Sequence, residues 1–179
     1  MRYFEKDRVK LECIDYILPI VANADMGFGT LSGYMTLKRS FVESGVAMIH
    51  IDDLAMEMKK FTNGEGRTIV PTSEYLRRLT TVRMTFDIMG ADTMLLGRCD
   101  SDHAEFITSV LDPRDQGYVL GATKPIKSFV QAIEDGKDIG RSYVEVKAEW
   151  KFAAGTMIFD DAVKNIASKD QYKSYAAEI

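Results

Sequence analysis

Cysteine is nearly absent. The 179-residue chain holds only Cys13 and Cys99, too few for a disulfide framework or a thiolate zinc cluster, and in keeping with a reducing compartment. Metal chemistry in such a chain has to use oxygen ligands. No apolar run approaches the roughly 20 residues that a bilayer span requires, so no membrane association is expected. Positive charge is not in excess either. The 23 lysines and arginines are scattered among 27 acids for a net charge of -4, leaving no basic stripe of the kind nucleic acid demands. The charged start "MRYFEKDRVKLECIDY" is unlike a secretory leader, and the end "SYAAEI" is neither a peroxisomal nor a retention signal. A cytoplasmic address is the expectation. Internal repeats, low-complexity tracts and Ser/Gly linkers are also missing, so a single domain is expected over 1–179.

What is present is enough apolar residue, 46% of the chain, to fill a core. The run "YILPIVAN" (16–23) stops at Asp25 and the pair Gly27 and Gly29, as a strand entering a turn does. From Leu31, the residues Leu31, Tyr34, Met35, Phe41 and Val42 share one helical face, and Gly45 sits where a left-handed cap would. "VAMIHIDD" (46–53) reads as a second buried strand. After Pro71, a helical period of Leu76, Leu79, Val82, Phe86 and Met89 closes at Gly90, and "DTMLLGRCD" (92–100) is the third strand. Alternating strands and helices with near-continuous apolar strands predict an α/β fold with a parallel sheet covered by helices. This βαβαβ core spans 1–106. The segment 107–179 changes character: turn chemistry to about Pro125, then helices at "IKSFVQAIEDG" and from about Tyr143 to Ser168, with Tyr143, Val146, Trp150, Phe159, Val163 and Ile166 as their apolar side. No fourth strand is evident.

Each strand finishes in acids: Asp25 after the first, Asp52 and Asp53 after the second, Asp100 after the third, with Arg98 just before it. In a parallel sheet those ends lie on one face, the face on which barrel enzymes build their active sites. Converging carboxylates repel, and a hard dication such as Mg²⁺ resolves the repulsion through oxygen ligation. Arg98 offers a fork for a carboxylate-bearing substrate. The alternative is that these acids are ordinary solvated loop residues. His50 alternates with Asp52, though a lone histidine is more often a hydrogen-bonded structural group.

The motifs resemble the isocitrate lyase family, within the isocitrate lyase and phosphoenolpyruvate mutase superfamily. "IVANADMGFGT" is similar to the family's A-D-A-D-T-G-F-G-G, "HIDDLA" to H-I-E-D-Q, "VPTSEYLRRLTTVRMTFDIMGAD" to the helix V-P-T-S-E-H-I-N-R-L-V-A-I-R with its D-I-M-G end, and "GRCDSD" to A-R-T-D-A-E. The later "ITSVLDPRDQGYVLGAT" and "VKAEWKFAAGTMIFDDAV" resemble fungal and plant members. The resemblance implies a (β/α)8 barrel and a magnesium-dependent reverse aldol cleavage of isocitrate to glyoxylate and succinate, with a cysteine thiol protonating the succinate carbanion. By position, Arg98 and Asp100 match substrate-binding and A-R-T-D residues, Asp25, Asp52 and Asp53 match acids around the metal, and Lys59 and Lys60 match the catalytic loop.

The departures fall on the same motifs. Where the family loop reads K-K-C-G-H, this chain reads Lys59, Lys60, Phe61, Thr62, Asn63. Phenylalanine has no proton to give. The family's magnesium-ligating aspartate falls at Asn23, whose neutral amide holds a hard cation less well, and Asp52 stands where the family has glutamate. Weak or lost magnesium binding is the expectation. Cys99, beside Arg98, reads as a small buried hydrophobe rather than a relocated acid. Three strands of eight, with the family's upstream and downstream pocket segments outside 1–179, lead to the expectation of a partial barrel without independent lyase activity. Such a chain would act as a scaffold or association module, pairing with itself or with a full-length isocitrate lyase. The alternative is a magnesium-dependent carbon–carbon lyase, acting on isocitrate or a related small organic acid when another chain completes it.

Overall fold

The computed structural model describes residues 18–56 and 66–178; Lys59, Lys60, Phe61 and Asn63 lie outside them. Contacts divide the chain into two compact units, one of residues up to Val70 with Glu74–Phe106, the other of Pro71–Ser73 with Ile107–Ile179. Each is taken by itself.

The first unit is built on three parallel strands in the order β1 (Val21–Asn23), β2 (Met48–Asp52), β4 (Met94–Arg98). The register sets Asn23 beside His50 and Asp52 beside Arg98, so all three carboxyl ends meet on one rim. Helix α1 (Leu31–Glu43) joins β1 to β2, and α2 (Thr72–Met89) precedes β4. Both helices stop at glycines in the left-handed region, Gly45 at φ 77° and Gly90 at φ 61°, a conformation in which a side chain would clash with the backbone. Ile49 and Ile51, on one face of β2, are fully buried against Ala24, Val46, Val82 and Phe86. The period of two along β2 therefore turns Met48, His50 and Asp52 the other way. The α/β arrangement with parallel strands is the one the strand and helix patterns predict, and it is the kind from which a partial (β/α)8 barrel is made.

Several expectations need correction. Leu76 is 45% exposed; the line that packs on the core is Tyr75, Leu79, Val82 and Phe86, one position earlier in its first turn. Two short strands escaped the apolar pattern, β3 (Thr68–Ile69) and β5 (Phe106–Ile107). Each is only two residues long, too short to carry an alternation. Among the described residues no helix is long and apolar enough to cross a membrane.

In the second unit, α3 (Pro113–Gln116) opens on Asp112. The Asp112 carboxylate is buried and accepts from the Ser73 N–H at 2.7 Å and from Arg114 Nε and Nη2 at 3.0 and 2.8 Å. Asp115 accepts from the Thr72 N–H at 2.9 Å. These acids satisfy first-turn donors that a helix leaves without partners. The Arg114 guanidinium, ahead of the other contacts, holds Asp112 well below the usual carboxylate range. A depressed folded value means stability present above the unfolded value, about 4 for aspartate, and lost as pH falls through the folded one. Asp112→Asn is therefore expected to be less stable than the parent at pH 7, with the gap narrowing below pH ~4. Denaturant melts of both proteins across that range would check it; a gap independent of pH would contradict the assignment.

Helices α4 (Phe129–Asp138) and α5 (Tyr143–Ala154) pack through the ring of Phe129, 5.2 Å from Trp150 and 6.0 Å from Tyr143. Ser142 and Glu145 form a reciprocal capping box at the start of α5. The helical stretch expected from Tyr143 to Ser168 is two helices, because Gly155 adopts φ 58° and ends α5 before α6 (Phe159–Ile166) begins. Phe159 and Ile166, expected on the apolar side, are 64% and 84% exposed. The last helix is α7 (Lys169–Ala176).

Candidate functional site: the strand-end acids

β1 ends in a locked turn. Asp25 takes φ 44°, which short polar side chains tolerate better than most. The Asn23 amide closes around it: its oxygen accepts the Asp25 N–H at 2.8 Å, and its Nδ2 donates to Asp25 Oδ1 at 3.0 Å. The first bond is an Asx turn, and it directs the Asn23 oxygen at the backbone.

β2 and β4 end in a denser network. Asp53, 4% exposed, accepts the Asp100 N–H on Oδ1 at 3.0 Å and the Cys99 thiol on Oδ2 at 2.9 Å. Asp100, also buried, takes Arg98 Nη2 at 3.0 Å and Arg67 Nη1 at 3.3 Å on one carboxylate oxygen. The Tyr75 hydroxyl lies 2.9 Å from the Ile51 carbonyl and 2.8 Å from that of Arg98, so its one proton is shared between neighbouring strands. Burial, then the nearby acids, push that phenol well up. Gly97 leaves it room, since an added Cβ would stand 2.9 Å from the hydroxyl oxygen.

Asp52 is almost fully buried; burial first and Asp100 second push its carboxyl up, against the pull of Arg98. His50 is pushed down by burial, then by the charges of Arg98 and Lys38. Its buried Nδ1 has no hydrogen-bond partner among the described residues. Cys99 is exposed rather than buried, with its thiol turned to Asp53.

The structure thus gathers Asp52, Asp53, Asp100 and Arg98 at one rim, while Asn23 and Asp25 bond to each other. As donors for magnesium this set fits poorly. The Asn23 oxygen is neutral and engaged with a backbone N–H, and both Asp53 oxygens already hold protons of neighbouring groups. Among the described residues no group of three or more His, Cys, Asp or Glu is arranged to hold a metal ion. Sequence reasoning missed Arg67, Tyr75 and Lys38. For Lys38 a signal existed, because it falls four residues after Tyr34 on the face that α1 buries.

Comparison with known proteins completes the picture. Over 174 residues the chain is 56% identical to the mitochondrial 2-methylisocitrate lyase of Schizosaccharomyces pombe, covering 97% of this chain and 34% of that protein. It is 38% identical over 154 residues to the isocitrate lyase of Saccharomyces cerevisiae, covering 84% of this chain and 28% of the relative. Among solved structures, oxaloacetate acetylhydrolase in complex with 3,3-difluorooxalacetate aligns with 70% of this chain and 36% of its own, at 21% identity and a TM-score of 0.47. The chain spans about a third of the length of the curated relatives it matches. The Isocitrate lyase family matches across residues 1–179, and this chain, with its strand-end acids and its altered loop, belongs to that family.

Proposed function

We propose that this chain keeps the strand-end wall of an isocitrate lyase family site as an internally bonded structure, and that it serves as an association or scaffold module without cleaving isocitrate by itself. The observation that carries the reading is Asp53, whose two oxygens are committed to the Asp100 N–H and the Cys99 thiol. Phe61 at the proton-donor position and the closed Asn23 amide support it. The partners proposed are a second copy or a full-length isocitrate lyase. Exposed apolar residues on the outer strands, Val21, Met94 and Leu96, are consistent with association. The address proposed is the cytoplasm; three similar lyases are named as mitochondrial, and cell fractionation distinguishes the two compartments.

The experiment is an assay of the full chain, alone and co-expressed with a full-length lyase, for succinate released from isocitrate and from 2-methylisocitrate. No turnover alone, with co-purification of the lyase, supports the reading; turnover by the chain alone contradicts it. Phe61→Cys by itself is expected to release no glyoxylate from isocitrate, because a restored thiol does not restore the Asn23 position. Detectable glyoxylate from that single variant would show that the remaining pocket is intact.

The 56% identity to a 2-methylisocitrate lyase over nearly the whole chain favours a second reading. In it the segment contributes to a carbon–carbon lyase acting on a hydroxy tricarboxylate when other polypeptide completes the barrel. Arg98, half exposed beyond its bond to Asp100, is then the group that meets a substrate carboxylate. Activity of Asn23→Asp with Phe61→Cys that appears only with a partner chain would support this reading over the first.

A further inference from the structure

In the second unit, α4, α5 and the segment before α4 line a cavity of about 300 Å³, at the small end of the roughly 300–1,000 Å³ that small-molecule sites span. Its walls are apolar: Ala132 on α4, Val146, Trp150 and Ala153 on α5, with Ile126 and Ile139 beside them. Gly136 lets the two helices approach, since an added Cβ would stand 2.4 Å from Val146 Cγ2. The Trp150 wall is fixed in advance: its Nε1–H donates to the Lys127 carbonyl at 2.7 Å, and Phe129 packs on its ring. Ile139 stays 73% exposed, so apolar surface is left for an occupant to cover.

The polar edge of the cavity consists of two ion pairs, Lys127 with Asp135 at 2.9 Å and Arg141 with Glu149 as a two-pronged pair. The acceptors are committed. Asp135 gives its second oxygen to the Gln131 amide, and both Glu149 oxygens accept from Arg141. Donors are left over, because among the described residues Lys127 uses one of its three N–H groups and the Arg141 guanidinium two of its five. The two pairs cancel in charge. Apolar walls with a neutral, donor-rich edge suit an uncharged molecule whose polar end accepts hydrogen bonds. A carboxylate would face the like charges of Asp135 and Glu149, and an amine would find their oxygens already engaged.

We propose that the cavity between α4 and α5 binds a small uncharged carbonyl compound, an amide, ester or ketone on a ring or branched aliphatic body, with the body against Trp150 and the carbonyl oxygen at Lys127 and Arg141. The site shares no residue with the strand-end acids, so it holds whether or not the chain takes part in catalysis.

Trp150 is the only tryptophan of the chain, so its emission reads the cavity directly. The full chain is titrated with three probes that share one ring: cyclohexanecarboxamide, cyclohexanecarboxylate and cyclohexylmethylammonium. The amide should change the emission saturably, with half-saturation at about 1 mM, as suits so small a ligand. Both charged probes should bind at least about tenfold more weakly, a difference of about 1.4 kcal/mol. Ala153→Leu, which fills the cavity from an exposed position of α5 and keeps Trp150, should weaken the amide response by about tenfold or more. No saturable change up to about 10 mM amide, a charged probe binding as well as the amide, or an undiminished response in Ala153→Leu would overturn the proposal. So would emission that follows protein concentration in step with the mass in solution, which would put a second copy in the cavity. A second measurement needs no variant: the amide should shift the Trp150 indole N–H resonance and the backbone amides of Gly136 and Ile139, and shifts that leave these three unmoved would contradict the assignment.

Discussion

Replacing Phe86 with alanine is expected to destabilise the protein by roughly 3–5 kcal/mol, the cost of losing a fully buried aromatic ring and leaving a cavity. The ring has no exposed surface and stands in the cluster formed by Ala24, Val46, Ile49, Ile51 and Val82. It therefore joins α2 to the buried face of β2. Typical domains are stable by only about 5–15 kcal/mol, so a loss of this size leaves a marginal or unfolded protein. Phe86→Leu, which keeps most of the volume, should cost under about 1.5 kcal/mol. Urea melts read both: a lower midpoint at unchanged slope is the expected pattern, and an alanine variant within about 1 kcal/mol of the parent would contradict this view of the core.

Asp53→Ala is expected to cost about 3 kcal/mol, near the upper range for a buried donor left without its acceptor. The Asp100 N–H and the Cys99 thiol both point at the Asp53 carboxylate, and removing it unties the end of β4 from the end of β2. Asp53→Asn keeps one carbonyl oxygen for the Asp100 N–H and should lose distinctly less. Hydrogen exchange adds a local reading, since the Asp100 amide should lose protection in the alanine variant and keep most of it in the asparagine one. Equal losses in the two variants, or an Asp100 amide as protected as before, would mean the tie contributes little.

The sequence shows the parallel strands because their apolar runs are nearly unbroken, and it shows the ends of α1 and α2 because Gly45 and Gly90 have to take the left-handed region. The gathering of Asp52, Asp53, Asp100 and Arg98 was legible for the same reason: parallel strands put their carboxyl ends together. What they do there was not legible. The commitment of Asp53 depends on the path of the chain through Cys99 and Asp100, and the closure of Asn23 depends on Asp25 adopting φ 44°; neither leaves a pattern in residue types. Cys99 was misplaced because a cysteine is on average buried, whereas here β4 ends at the exposed rim. Lys38 hid behind the ordinary rule that a helical lysine faces water. The break at Gly155 hid inside an apolar period that continues on both sides of it.

The central claim is that the strand-end acids are bonded to the protein itself rather than poised for a metal and a substrate. Calorimetric titration of the full chain with Mg²⁺ and then with isocitrate, with the mass in solution recorded on the same sample, tests it most directly. The account predicts no heat from the metal up to millimolar concentration, none from isocitrate afterwards, and a mass above that of a monomer. Micromolar, metal-dependent binding of isocitrate to a monomer would contradict it.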